Sequence, residues 1–138
     1  MAWLVLDTNV IVAAFRSSAG ASHEVLKRLR RRRLRAVLSV PLLFEYEEVL
    51  TRQREALTLS LEDVGAIVDG LAKLCRHVET RIAGRPRLAD SDDEIVLETA
   101  IAGSAEMIVT HNLRHFPRLD RYGIRALTPK QLLQEEPK

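Results

Sequence analysis

Residues 2–7, "AWLVLD", run apolar without a break and stop on an acid. A strand with one wet face alternates apolar and polar side chains. A continuous run instead predicts a central parallel strand covered on both faces. "RAVLSV" at 35–40 and "EMIVT" at 106–110 repeat the shape, "GIRAL" at 123–127 gives a fourth strand, and "CRHVE" at 75–79 a candidate fifth. Parallel neighbours cannot be joined by tight hairpins, so the connections must be long crossovers, usually helical.

The intervening segments carry helix signals. Ser22 stands before "HEVLKRLRRR", in which Val25, Leu26 and Leu29 make an apolar stripe. Pro41 suits the first helical position ahead of "LLFEYEEVLTR". Ser60 with Asp63 reads as a capping box before Leu61, Val64, Ile67, Val68, Leu71 and Leu74, and Ser91 with Glu94 reads as another. Thr128, Pro129 and Gln131 open the last helix. Strands alternating with helices define an α/β fold with a central parallel sheet of four to five strands, and 138 residues suit a single domain, 1–138.

At that length, 46% hydrophobic residues suffice for a core, which argues against disorder. No long uncharged apolar run is present, and the first strand meets Asp7 and Asn9 too early for a signal peptide, so a soluble cytoplasmic protein without membrane association is expected. Cys75 is the one cysteine, expected as a small buried hydrophobe; His77, two residues on, only shares its face of a short strand. Net charge is +2, from 21 basic and 19 acidic residues, but "KRLRRRRLR" at 27–35 concentrates positive charge. Arg81, Arg85 and Arg87 stud a later loop beside Gly84 and Pro86. Such stretches track phosphates, or simply favour a helix C-terminus and solvent; the sequence leaves both open. Aromatics are 4% of the chain, too few for a broad base-stacking platform.

The acids fall where a parallel sheet binds ligands, outside the carboxyl ends of its strands. Asp7 closes the first strand, with Thr8 and Asn9 placed to orient it, although an Asp there also makes an ordinary helix N-cap. Glu45 lies among Leu42, Leu43, Phe44, Tyr46, Val49 and Leu50, and is expected as a buried carboxylate in need of a partner. Asp90, Asp92 and Asp93 crowd a helix start, where at least one merely complements the dipole. Asp7, Glu45 and Asp93 group with the corner at Thr110 and Asn112. Like charges so close call for a cation, and all-oxygen donors select Mg²⁺ or Mn²⁺. His111 and His115 are four apart, but no metalloprotease glutamate accompanies them and no zinc pair is expected.

Four stretches in order, "VLDTNVIVAAF", "SVPLLFEYEEVL", "LADSDDEIVLETAIAGSAEMIVTHNLRHF" and "ALTPKQLL", give the chain a resemblance to PIN-domain ribonucleases, in the branch of VapC-like toxin components of toxin–antitoxin pairs. The resemblance implies a three-layer α/β/α sandwich, usually dimeric. It also implies that Asp7, Glu45 and Asp93 are metal-binding acids, with Asn112 where many relatives carry a fourth aspartate. Asn9 and Thr110 resemble the family's polar supports, and Asp90 an accessory acid. Implied with these are Mg²⁺- or Mn²⁺-assisted hydrolysis of RNA leaving 5′-phosphate and 3′-hydroxyl ends, an antitoxin partner, and arginines, Arg85 and Arg87 first, on the flanking phosphates. Two other classes are weighed. A receiver-like phosphoacceptor domain would have paired acids after its first strand and a lysine after its last, whereas Asp7 stands alone and Lys130 follows Pro129. A catalytically weak or silent PIN-like module that binds RNA or protein fits the amide at Asn112.

Overall fold

A computed structural model describes residues 1–81, 88 and 90–135. Its strands are β1 (Trp3–Leu6), β2 (Arg35–Leu38), β3 (Arg76–His77), β4 (Met107–Val109) and β5 (Arg125–Leu127). Its α-helices are α1 (Thr8–Arg16), α2 (Ala21–Arg30), α3 (Val40–Arg52), α4 (Leu61–Leu74), α5 (Ser91–Ala102) and α6 (Pro129–Glu135). Short 3-10 turns at Leu113–His115 and Leu119–Tyr122 join β4 to β5. All five strands pair in parallel in the order β3-β2-β1-β4-β5. The expected α/β/α architecture is therefore observed, and the candidate fifth strand is real, though only two residues of "CRHVE" belong to it.

That strand order has one reversal. The chain steps outward from β1 to β2 and β3, then crosses back to β4 on the other side of β1. Right-handed crossovers then lay helices on both faces, and the connections leaving β1 and β4 diverge at their carboxyl ends. Double coverage is why the inner strands β1, β2 and β4 are largely apolar: Leu4, Val5, Leu6, Val37, Leu38, Ile108 and Val109 are all buried. Each such aliphatic side chain contributes about 1.5–3 kcal/mol relative to exposure. α5 packs against β1, β2 and β4, and its C-cap Gly103 sits so close to Val37 that an added Cβ would collide with that side chain.

Several helix starts follow the expected chemistry and several do not. Ser60 and Asp63 form a reciprocal capping box, and Thr128 with Gln131 forms another, at 3.1 and 2.9 Å. α2, however, is capped by Gly20, and Ser22 lies inside it, buried, with its Oγ 2.7 Å from His111 Nε2. α3 begins one residue before Pro41, capped by Ser39, whose Oγ accepts from Leu42 N at 3.3 Å. At α5 the cap is Asp90, not Ser91; Glu94 instead reaches back to accept from Leu88 N at 2.8 Å. In these three cases the helix starts one or two residues upstream of the expected position, at a polar cap in α3 and α5 and at a glycine in α2, a choice that residue type alone does not decide.

Candidate active site at the strand switch point

Asp7 and Thr110 leave the carboxyl ends of the adjacent strands β1 and β4, and Asp7 N donates to Val109 O at 2.9 Å. Both readings of Asp7 hold at once. Its Oδ1 caps α1 by accepting from Thr8 N at 2.8 Å, while Oδ2 accepts from Thr110 Oγ1 at 2.7 Å and from Asn9 Nδ2 at 3.2 Å. Thr110 is fully buried, and its Oγ1 also accepts from Asn112 N at 3.0 Å. Asn9 Oδ1 in turn accepts from His111 N at 3.2 Å, tying the start of α1 to the turn after β4. A carboxylate with so many local donors has little rotational freedom.

Glu45 comes from α3, which Tyr46 anchors: that side chain is buried and its hydroxyl donates to Leu6 O, one residue before Asp7. Glu45 itself is half-buried on the crevice, not enclosed as expected, because Phe44 beside it points into solvent. Glu48 is exposed and pairs with Arg52 at 3.1 Å. Asp93 comes from the first turn of α5, 9% exposed, with Asp90 as N-cap accepting from Asp92 N at 2.7 Å and more loosely from Asp93 N. The capping role of Asp90 occupies one oxygen and leaves it on the rim.

These acids line one open crevice of about 330 Å³, with Asn112 at its edge. Their electrostatics record the crowding. Burial pushes the Asp7 carboxyl up against the opposing pull of the Thr110 and Thr8 hydrogen bonds. Burial raises Asp93, and the Asp7 charge raises it further. Glu45 is raised by burial and by the charges of Asp92, Glu48 and Asp7. Each carboxylate is thus held where its own charge is disfavoured, and an added cation would relieve all three.

The sequence reading missed two nitrogen-bearing side chains here. His115 Nδ1 lies 3.0 Å from Asp93 Oδ2, and Arg16 lines the same crevice while donating to Gln53 Oε1 at 3.1 Å. Both had a legible signal. Asn9, Val12 and Arg16 follow helical spacing along one face of α1, and His115 sits one 3-10 turn beyond Asn112, so the two eclipse. His111 and His115 go to separate partners, Ser22 and Asp93. Arg85 and Arg87 lie outside the described residues. Cys75 caps α4, its thiol pushed up to about 12 by burial, which removes it as a nucleophile.

For a metal, the donor chemistry fits: three carboxylates and an amide offer only hard oxygens to a divalent ion. The spacing is open, since among the described residues no three His, Cys, Asp or Glu side chains stand close enough together to hold an ion by themselves. An ion held by few protein oxygens and several waters is the Mg²⁺ pattern.

Fold and crevice together define a class, a parallel α/β domain with acids gathered at its strand switch point. The PIN domain profile matches residues 3–114, and the chain belongs to that family. Among solved structures, the crystal structure of VapBC2 from Rickettsia felis bound to a DNA fragment from their promoter contains a chain of the same fold. It aligns with TM-score 0.63 at 16% identity, over 91% of this chain and 98% of that one. No curated protein matches the sequence. Among the described residues no helix is long and apolar enough to cross a membrane.

Proposed function

We propose that this protein is a Mg²⁺- or Mn²⁺-dependent endoribonuclease that hydrolyses phosphodiester bonds of single-stranded or structured RNA, serving as the toxin of a toxin–antitoxin pair. The observation that carries the reading is the gathering of Asp7, Glu45 and Asp93 in one crevice, where burial disfavours the charge of each and the Asp7 charge adds to the strain on the other two, a cost that a bound cation would offset. Membership of the PIN domain family supports nuclease chemistry. The likeness to a chain of VapBC2 supports an antitoxin partner, which would restrain the enzyme by covering the crevice. A cytoplasmic homodimer is part of the same proposal.

In this reading Asp7, Glu45 and Asp93 hold the ion. When bound, it lowers the pKa of a water and offsets charge gathering on the phosphate oxygens. The chain's own groups do the rest. Thr110 and Asn9 keep Asp7 Oδ2 turned toward the crevice, and Asp90 fixes the first turn of α5 and so the direction of Asp93. Arg16 and His115 offer N–H donors to the phosphates flanking the scissile bond, and Arg85 and Arg87, which lie outside the described residues, are proposed from the sequence to join them. Asn112 can accept or donate a hydrogen bond but adds no charge, so a second ion is weakly attracted.

The test is cleavage of RNA by purified protein in Mn²⁺, Mg²⁺ or EDTA, beside Asp93→Asn to exclude a contaminating nuclease. Cleavage confined to the wild type with metal is expected. Undiminished cleavage by a folded Asp93→Asn variant sinks the assignment. RNA binding without cleavage under any metal would select the silent binding module, the reading that the uncharged Asn112 favours.

A further inference from the structure

We infer that the opposite pole of the sheet carries a second nucleic-acid contact, a sequence-independent RNA-backbone site built on the turn between α2 and β2. The inference rests on RNA being the ligand class proposed above, and it concerns a surface that takes no part in the crevice. β1 runs from Trp3 at its amino end toward Asp7, about 13 Å at ~3.3 Å per residue. All strands are parallel, so every amino end gathers at one edge and the acid crevice occupies the other.

At the amino edge the arginine run has a defined shape. α2 ends in a Schellman turn: Arg33 N donates to Arg28 O at 2.9 Å and Arg32 N to Leu29 O at 3.0 Å, with Arg32 at φ 61°. Leu34 is buried and pins the turn to the core, while Arg30, Arg31, Arg32, Arg33 and Arg35 are all exposed. None of those five has an acidic partner among the described residues, unlike Lys27, which pairs with Glu24, and Arg125, which pairs with Glu135 at the same edge. Arg35 opens β2 opposite Trp3 and Arg76 opens β3, and both guanidinium carbons lie over the Trp3 ring, at 4.4 and 4.6 Å. Arg76 also donates to Gly103 O at 2.7 Å. A helix dipole explains a cation or two in the last turn, not a cluster that continues past the helix into the next strand.

Charge geography selects the ligand. The molecule is nearly neutral, yet Asp7, Glu45, Asp90, Asp92 and Asp93 line the crevice while the α2–β2 turn presents five exposed arginines, so a polyanion approaching from solution is favoured at that turn over the metal-free crevice. The cluster is arginine throughout, and guanidinium matches phosphate oxygens in bidentate geometry. Trp3 is occupied by arginines and offers no open ring for base stacking, so the contact reads backbone and not sequence. A long RNA gripped there is retained between encounters with the crevice.

Anisotropy of labelled single-stranded RNA, measured in EDTA so that nothing is cleaved, tests this across a salt series. The triple variant Arg31→Gln, Arg32→Gln, Arg33→Gln should lose about tenfold or more in affinity, with the slope of log K against log salt shallower by about 2, three phosphate contacts at ~0.7 each. A control removing the same charge away from the strands' amino ends, Arg54→Gln, Arg118→Gln, Lys130→Gln, should bind as the wild type does. Arg32→Gly separates binding from folding: glycine suits the left-handed position, so this variant should melt no lower than wild type yet bind more weakly. Unchanged affinity and slope in the triple variant, or an equal loss in the control, overturns the proposal. So does poly-glutamate displacing the RNA at equal charge concentration, which would make the pole an acidic-polypeptide site. Because no step here needs catalysis, patch-dependent binding by a protein that fails to cleave RNA would sink the nuclease reading and leave this one standing.

Discussion

Thr110→Val would measure how much the support under Asp7 is worth. The substitution keeps the branched shape of a fully buried side chain and removes one hydroxyl, which donates to Asp7 Oδ2 at 2.7 Å and accepts from Asn112 N at 3.0 Å. A hydrogen bond to a charged group is worth about 1.5–3 kcal/mol and a neutral one about 1 kcal/mol. The added methyl returns about 0.8 kcal/mol. The net loss is about 2 kcal/mol at neutral pH, which in a domain of this size lowers Tm by about 6 °C. The hydroxyl works against the burial that raises Asp7, so in the variant Asp7 titrates higher still. Acidification through that value neutralises the carboxyl, and the gap between the two proteins should narrow to about 1 kcal/mol. Urea unfolding followed by the fluorescence of the single Trp3, at neutral and mildly acid pH, gives both numbers. A variant as stable as the wild type at neutral pH, or a gap that widens on acidification, would refute the reasoning.

Three other outcomes are expected. In chelator, the raised Asp7, Glu45 and Asp93 mean that the folded state binds more protons than the unfolded one. Their contribution is present below the ordinary carboxylate range and lost as pH rises through the raised values, so calorimetric stability should fall from mildly acid to neutral pH, and saturating Mg²⁺ should flatten that fall. Asp63 and Glu135 are shifted down instead, by the Ser60 and Arg125 hydrogen bonds, and act only below that window. Asp93→Asn keeps the side chain's shape and removes a repulsion, so in EDTA it should melt no lower than wild type while losing the rise in Tm that Mg²⁺ gives; a lower Tm in EDTA would mean that the carboxylate holds the fold together. Asn112→Asp should tighten divalent binding about tenfold in calorimetry, roughly 1.4 kcal/mol; unchanged or weaker affinity would put Asn112 outside the site.

The strands were legible because burial on both faces leaves a run of apolar residues that tolerates few readings, and "AWLVLD", "RAVLSV", "EMIVT" and "GIRAL" each became a strand. The grouping of Asp7, Glu45 and Asp93 was legible for a related reason, since parallel topology sends every strand's carboxyl end to one edge and their loops follow. What stayed hidden depends on tertiary geometry. Ser22 looks like a cap in one dimension, yet the turn at Gly20 starts α2 earlier and turns the serine inward to His111. Glu45 was expected to be buried because its neighbours are apolar, but α3 exposes Phe44 and rotates the carboxylate to the crevice wall. His115 meets Asp93 only because a 3-10 turn replaces an extended corner after Asn112.

Asp7, Glu45 and Asp93, gathered at the β1–β4 switch point, are proposed to form a divalent-metal site. Calorimetric titration of Mn²⁺ into the metal-free protein and into Asp7→Asn tests it most directly. One well-held ion is expected in the wild type, and loss of that binding in a folded Asp7→Asn variant. Equal affinity and stoichiometry in the two proteins, or no binding by the wild type, would contradict it.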